Sequence, residues 1–331
     1  MGEIKIRKVI GNLLFLLILG RSVLVYSGVT LTLTTYNVNL MPEIPFVGVT
    51  SNLNNPNFRA KNIPPYLKGN DVVACQEAMG SNSRKILDDG MRTEELIYQT
   101  PNLSPPLWAL LRLKFICGGV KLYSKCPFSA EPKLFYFDRS FGLEGFGNKG
   151  IVYVPIEKED MKFNIFATHM QSVNIGSPEE SQQSVVLKEH INQFSEFVDS
   201  LEIPANEPVI YMGDFNCNGG SACTTTNSDD IYGVNKHPLY DDLLDKLNAE
   251  PVAKYDVTSE PFSFDPFENK MAKGKSSHGE TLDHILCSKA HKRPAYGSTS
   301  ILKIEHENPS GINELSDHYP VQAMLTFDAD E

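Results

Sequence analysis

Val29-Thr30-Leu31-Thr32-Leu33-Thr34-Thr35-Tyr36 alternates apolar and polar side chains in a β-branched run and then reaches Asn37. A period of two over this length predicts a strand with one face buried. The same construction recurs along the chain: a mostly apolar run delivers a polar residue at its end. Asp71 to Gln76 leads to Glu77, Met161 to Ala167 leads to His169, and Pro208 to Met212 leads to Asp214 and Asn216. Further strands are expected over 281–287 and 319–327. Polar residues at separate strand ends can converge on one rim, where a rigid sheet carries a site.

Between these strands, 83–97, 179–201 and 239–247 read as helices. In the second, Val185, Leu187, Ile191, Phe194 and Val198 approximate one face, and Ser177-Pro178-Glu179-Glu180 resembles a capped start. The Pro/Asn-rich stretch before Asp71 suggests no element. Several strand-like pieces between Phe115 and Ile156 argue against a simple strand-helix repeat, and two mixed or antiparallel sheets with outer helices fit better. The chain has 331 residues, 41% of them hydrophobic, with no internal repeat or long low-complexity tract. One large domain is therefore the starting expectation.

Residues 1–27 read as an export leader, because Lys5, Arg7 and Lys8 precede an apolar run from Val9 to Leu19. An uncleaved amphipathic anchor or a terminal strand are the alternatives. A catalytic domain is expected over 28–331, outside the cell. The formal charge is −11; removing four basic residues and one acidic residue with the leader leaves −14. A surface of that sign repels a polyanionic duplex, so no stable nucleic-acid partner is expected. Export also permits disulfides among the six cysteines. Cys117 with Cys126, and Cys217 with Cys223, are candidate local bridges, while Cys75 and Cys287 are buried thiols or a long-range pair.

Glu77 is the best single ligand for a hard divalent cation, which favours carboxylate oxygen; a surface carboxylate is the alternative. Asp214 and Asn216, two apart, face the same side if the strand persists, and there Asp214 can accept a proton or orient water while Asn216 contacts phosphate. An Asx turn is the competing explanation. In Ser316-Asp317-His318, His318 can act as a base or as a donor to phosphate, and Asp283 can orient its ring. His169 either meets phosphoryl oxygens or caps a buried strand, and Asn37 either contacts metal or phosphate or forms a turn. The dinucleotide, P-loop, zinc-protease and serine-hydrolase signatures are absent.

The order Asn37, Glu77, His169, Asp214-x-Asn216, Asp283 and Ser316-Asp317-His318 closely resembles the endonuclease/exonuclease/phosphatase superfamily. Within it the chain looks most like secreted neutral sphingomyelinases of the bacterial type. Gly118-Gly119-Val120, Tyr123-Ser124-Lys125, Asn148-Lys149-Gly150, Ala167 to Gln171, Gly213 to Asn216, Asp265 to Asn269 and Ser316 to Pro320 carry the likeness. It implies a four-layered α/β sandwich with two central mixed sheets flanked by helices. It also implies Mg²⁺, with Mn²⁺ or Co²⁺ as substitutes, and hydrolysis of sphingomyelin in a membrane surface to ceramide and phosphocholine, with no obligate protein partner. Glu77 would be the principal metal ligand with Asn37 nearby. His169, Asp214, Asn216 and His318 would meet phosphate or water, Asp283 would support His318, and Asp317 would act through metal-bound water or site geometry.

Two features depart from that pattern. Cys126-Pro127 follows Ser124-Lys125 where the family often has Trp and Pro, and 288–315 lacks a Trp-rich hairpin, with Tyr296 its only aromatic. Phe135-Tyr136-Phe137, Phe141, Phe146 and Phe262, Phe264 and Phe267 supply other aromatics, some of which are expected to rim a lipid-facing surface. A nuclease, a phospholipase C of other specificity and a non-catalytic lipid-binding or host-interaction protein are the competing functions.

Overall fold

The computed structural model describes residues 28–41, 55–105, 116–220, 236–252, 260–308 and 311–329. The expected leader, residues 1–27, and Cys223 lie outside them. The strands are β1 (Gly28–Leu40), β2 (Val72–Ala78), β3 (Tyr98–Gln99), β4 (Lys121–Ser124), β5 (Lys133–Tyr136), β6 (Gly150–Lys158), β7 (Met161–His169), β8 (Val209–Asp214), β9 (Ala249–Pro251), β10 (Asp283–Ser288), β11 (Tyr296–Ile301) and β12 (Val321–Asp328). The helices are α1 (Pro56–Asn62), α2 (Ser81–Thr93), α3 (Glu180–Asp199) and α4 (Pro238–Lys246). One sheet runs β11-β12-β1-β2-β4-β3 and the other β5-β6-β7-β8-β10-β9. Each is mixed around one parallel pair, β1 with β2 and β7 with β8.

Alternation along the strands divides the core into layers. Leu31 and Leu33 of β1 and Val72 and Ala74 of β2 pack against Ile165, Ala167 and Met212 of the facing sheet. Their neighbours Tyr36, Val38, Val73 and Cys75 point the other way, towards Ala60 of α1 and Leu87 and Met91 of α2. On the second sheet, Phe166 and Tyr211 meet Leu187, Ile191 and Phe194 of α3 and Leu243 of α4. Two mixed sheets thus lie face to face between helical layers, the four-layered sandwich expected. Each large apolar side chain buried this way contributes about 1.5–3 kcal/mol.

Some local expectations change. Val185 is 53% exposed, and Val186 takes its place in the core, because 187, 191, 194 and 198 follow the helical period whereas 185 falls on the far side. Ser177 does not cap α3; Glu180 instead accepts from Gly176 N at 2.6 Å. The Pro/Asn-rich stretch hides a helix start: Asn55 caps α1 by accepting from Phe58 N at 3.1 Å, with Pro56 in its first turn.

The expected Cys117–Cys126 bridge is absent, and of the two alternatives for Cys75 and Cys287 the buried thiols hold. Cys75, Cys117, Cys126, Cys217 and Cys287 are free thiols. Cys75 faces the α1/α2 layer while Cys287 lies between the sheets, so the sheet itself separates them. Cys126 is buried between the sheets, whereas Cys117 is half-buried and accepts from Gly119 N. Cys217 is buried against α3 and α4.

Candidate active site

The inner apolar stripes of four strands end in polar groups on the same face. Leu33 in β1 is followed at even spacing by Thr35 and Asn37; Ile165 and Ala167 in β7 by His169; Ile210 and Met212 in β8 by Asp214. In β10, Asp283 precedes Ile285 and Cys287. The period-two pleat therefore aims Asn37, His169, Asp214 and Asp283 into one groove between the sheets. Strand pairing brings His169 opposite Asp214 and Asp283 opposite Asp214.

Glu77 breaks that rule. Val72, Ala74 and Gln76 occupy the inner face of β2, so an ideal strand would aim residue 77 outward at the helices. Its φ of 56° turns it back into the groove, where Oε1 accepts from Asn37 Nδ2 at 3.2 Å. Left-handed backbone at a non-glycine residue costs about 1–3 kcal/mol and persists where surrounding structure enforces it. Here Gly119 contributes: with φ at 71° it lies so close that a Cβ would stand 2.9 Å from Glu77 Cα.

Asn37 separates two acids. Its Oδ1 accepts from Asn39 N at 3.1 Å, which turns Nδ2 towards Glu77 and towards Asp214 Oδ2 at 3.0 Å. It clamps both carboxylates. The loop after β8 also differs from expectation, because the strand stops at Asp214 and Asn216 has φ of 52°. Asn216 N donates to Asp214 Oδ1 at 3.0 Å and Asn216 Nδ2 to Met170 O at 3.0 Å. The Asx turn is what brings the asparagine to the site, so turn and site are one feature.

His318 Nδ1 lies 2.7 Å from Asp283 Oδ2, and its Nε2 points to Asp214 Oδ2 across 4.0 Å. Burial alone pushes the imidazole down, but Asp283's charge and hydrogen bond, with Asp214 and Asp317 behind them, raise it to about 10. Burial and then Asp283 raise Asp214 to about 7, and burial and then Asp317 push Glu77 up. Asp317 is held low: burial opposes ionisation there, but His318 and Lys275 outweigh it, with Lys275 Nζ 2.7 Å from Oδ2.

Three positioning groups gave no isolated sequence signal. Ser263 Oγ accepts from the backbone of Leu282 and Asp283 at 3.0 and 3.1 Å, fixing the start of β10. Arg59, buried in α1, donates to the carbonyls of Val38, Asn39 and Leu315 at 2.8, 2.6 and 2.9 Å, tying the end of β1 to the residue before Ser316. Lys149, from Asn148-Lys149-Gly150, places Nζ 2.9 Å from His169 Nε2, 2.6 Å from Met170 O and 3.1 Å from Glu144. An ammonium has only donors, so Nε2 must accept and the ring proton sits on Nδ1. Nδ1 is buried without a partner, and burial followed by Lys149 holds His169 well below 6.5. His169 is neutral here.

The donor set fits a hard divalent cation. Asp214 and Asp283 are buried and Glu77 is half-buried beside Asp214 across Asn37; burial drives Glu77 and Asp214 towards protonation, and among the described residues Asp283 Oδ1 has no hydrogen-bond partner. Asp214, Asp283 and His318 also offer ligand atoms within 4.8 Å of one another. With Nδ1 engaged by Asp283, His318 would offer Nε2 to such an ion. Among the named aromatics, Phe137, Phe262 and Phe264 are buried, Phe135, Tyr136 and Phe141 are half-buried, and Phe146 and Phe267 are exposed.

The model of the endonuclease/exonuclease/phosphatase family matches residues 34–318. Sphingomyelinase C of Leptospira interrogans is 32% identical over 89% of this chain and 51% of its own length. Phospholipase C of Staphylococcus aureus is 30% identical over 78% of this chain and 77% of the relative. The chain spans about half the length of the Leptospira relatives. Among solved structures, a mutant beta toxin from Staphylococcus aureus with bound magnesium ions has a TM-score of 0.69 at 26% identity, over 89% of this chain and 99% of that one. With its strand ends, histidine–aspartate pair and carboxylate cluster all inside the matched span, the chain belongs to the endonuclease/exonuclease/phosphatase family.

Proposed function

We propose that this protein is a divalent-metal-dependent phosphodiesterase that hydrolyses sphingomyelin in a membrane surface to ceramide and phosphocholine, outside the cell. The observation that carries the reaction class is the buried His318–Asp283 pair facing Asp214 beside Glu77. The lipid substrate is supported by relatives that bear sphingomyelinase C and phospholipase C names. Export rests on the basic and then apolar pattern of residues 1–27, and the acidic charge disfavours a nucleic-acid substrate.

Glu77 is the principal residue to hold Mg²⁺, or Mn²⁺ or Co²⁺ in its place, and the bound cation supplies Lewis-acid charge to the phosphoryl oxygens. The attacking water would sit beside Asp214 Oδ2, which receives its proton, while charged His318, with Nε2 4.0 Å from that oxygen, donates to a phosphoryl oxygen. Asp283 holds the imidazole in place and balances its charge. Lys149 and the second N–H of Asn216 stabilise charge on phosphate, while His169 anchors Lys149 from β7. Water enters in line with the departing ceramide oxygen, without a covalent enzyme intermediate. Exposed Phe146 and Phe267 are the named aromatics available to lipid.

Product analysis on sphingomyelin, phosphatidylcholine and nucleic acid, with Mg²⁺ and with chelator, tests this function. Phosphocholine released from sphingomyelin only when metal is present is the expected result. Nucleotide products alone would refute it.

A further inference from the structure

Residues 262–264 and 278–282 pack beside His318 and are not used by the chemistry described above. Phe264 and Glu280 exchange both backbone hydrogen bonds, each 2.8 Å, as an antiparallel bridge. Residues paired in that way project their side chains to the same face. The Phe264 ring, 8% exposed, lies 5.1 Å from the His318 ring, so the shared face borders the imidazole. Glu280 is half-buried: burial pushes its carboxyl up, and His278 and His318 pull against it. Its nearest cationic candidate is His278, with Nε2 3.6 Å from Oε1. Lys275 is paired with Asp317 at 2.7 Å.

A quaternary ammonium has no N–H to donate and is recognised by a negative field together with an aromatic surface that tolerates its methyl groups. A half-buried carboxylate beside a phenyl ring, one side chain away from the phosphate site, offers both. We infer that Glu280 and Phe264 form a subsite for a quaternary-ammonium headgroup, with Glu280 supplying the charge and Phe264 the contact for the methyl groups. The inference rests on the proposed phosphodiesterase activity and adds the residues that select the headgroup. Glu280 thereby acts on specificity and leaves the bond-breaking step to His318, Asp214 and Glu77.

The full chain with Mg²⁺ is assayed on bis(p-nitrophenyl) phosphate, which has no cationic group, with phosphocholine or inorganic phosphate as inhibitor, and separately on sphingomyelin in mixed micelles. In the unmodified protein phosphocholine inhibits more tightly than phosphate by roughly ten-fold. Glu280→Gln keeps the shape of the side chain, abolishes that preference and raises KM for sphingomyelin about as much, while kcat on bis(p-nitrophenyl) phosphate stays unchanged. Phe264→Leu weakens the same preference. Equal inhibition by the two anions in the unmodified protein overturns the subsite, as does a phosphocholine preference that survives Glu280→Gln or an equal loss of turnover on both substrates. If the unmodified protein shows the phosphocholine preference but leaves sphingomyelin intact, the lipid assignment fails and the subsite stands.

Discussion

Replacing Arg59 by Leu should destabilise the protein severely although Arg59 lies outside the reacting set. Its guanidinium satisfies the carbonyls of Val38, Asn39 and Leu315 at 2.8, 2.6 and 2.9 Å, all in buried backbone. Leaving a buried acceptor unpaired costs about 1–3 kcal/mol, so three set an upper bound of about 3–9. Relief from burying a cation, whose pKa is already lowered chiefly by desolvation, offsets part of this. The net loss, by comparison with other buried charges stripped of their partners, is about 3–5 kcal/mol. Urea unfolding at neutral pH reads it as a lower midpoint with unchanged slope. Arg59→Lys should fall in between, since one ammonium cannot reproduce the planar fork. A loss below about 1 kcal/mol for Arg59→Leu, the scale of an ordinary surface change, would refute this role. Because the same guanidinium joins β1 to the segment entering Ser316, surviving folded Arg59→Leu should also turn over more slowly.

His318→Ala should lower kcat by roughly 10³, measured by steady-state kinetics at a temperature where denaturation shows the variant still folded, and near-normal turnover would refute its part in proton transfer. Lys149→Met should cost about 10² in kcat and shift neutral His169 from the Nδ1–H to the Nε2–H tautomer, read from imidazole ¹⁵N shifts; an unchanged tautomer removes Lys149 as its cause. In metal-free protein, the raised His318 pKa contributes stability that is complete below 6.5 and lost as pH rises through about 10. Asp283→Asn removes the main cause, so the mutant should lose less stability than the parent across that alkaline window in urea titrations at stepped pH. Equal alkaline losses would contradict the assigned coupling.

Much of the site was legible because it follows a simple period. Asn37, His169, Asp214 and Asp283 continue or open apolar stripes with a spacing of two, so their convergence needed only the strands to be recognised. Glu77 was legible as a residue type at a strand end but not in its direction, which depends on a left-handed φ and the close approach of Gly119. Asp214-x-Asn216 pointed to the right loop through the wrong geometry: the strand ends at Asp214 and a turn carries Asn216. Arg59 was hidden because a buried arginine is recognised by its acceptors, here the carbonyls of Val38, Asn39 and Leu315, all distant from it in sequence. The cysteine bridges failed for a similar reason, since sequence spacing does not reveal which face of a sheet a thiol occupies.

Hydrolysis of sphingomyelin in oxygen-18 water, with Mg²⁺ and analysis of both products by mass spectrometry, tests the central claim most directly. Attack of water on phosphorus predicts one heavy oxygen in phosphocholine and none in ceramide. Heavy oxygen in ceramide, release of free choline, or an absence of lipid products from active, metal-loaded protein would contradict it.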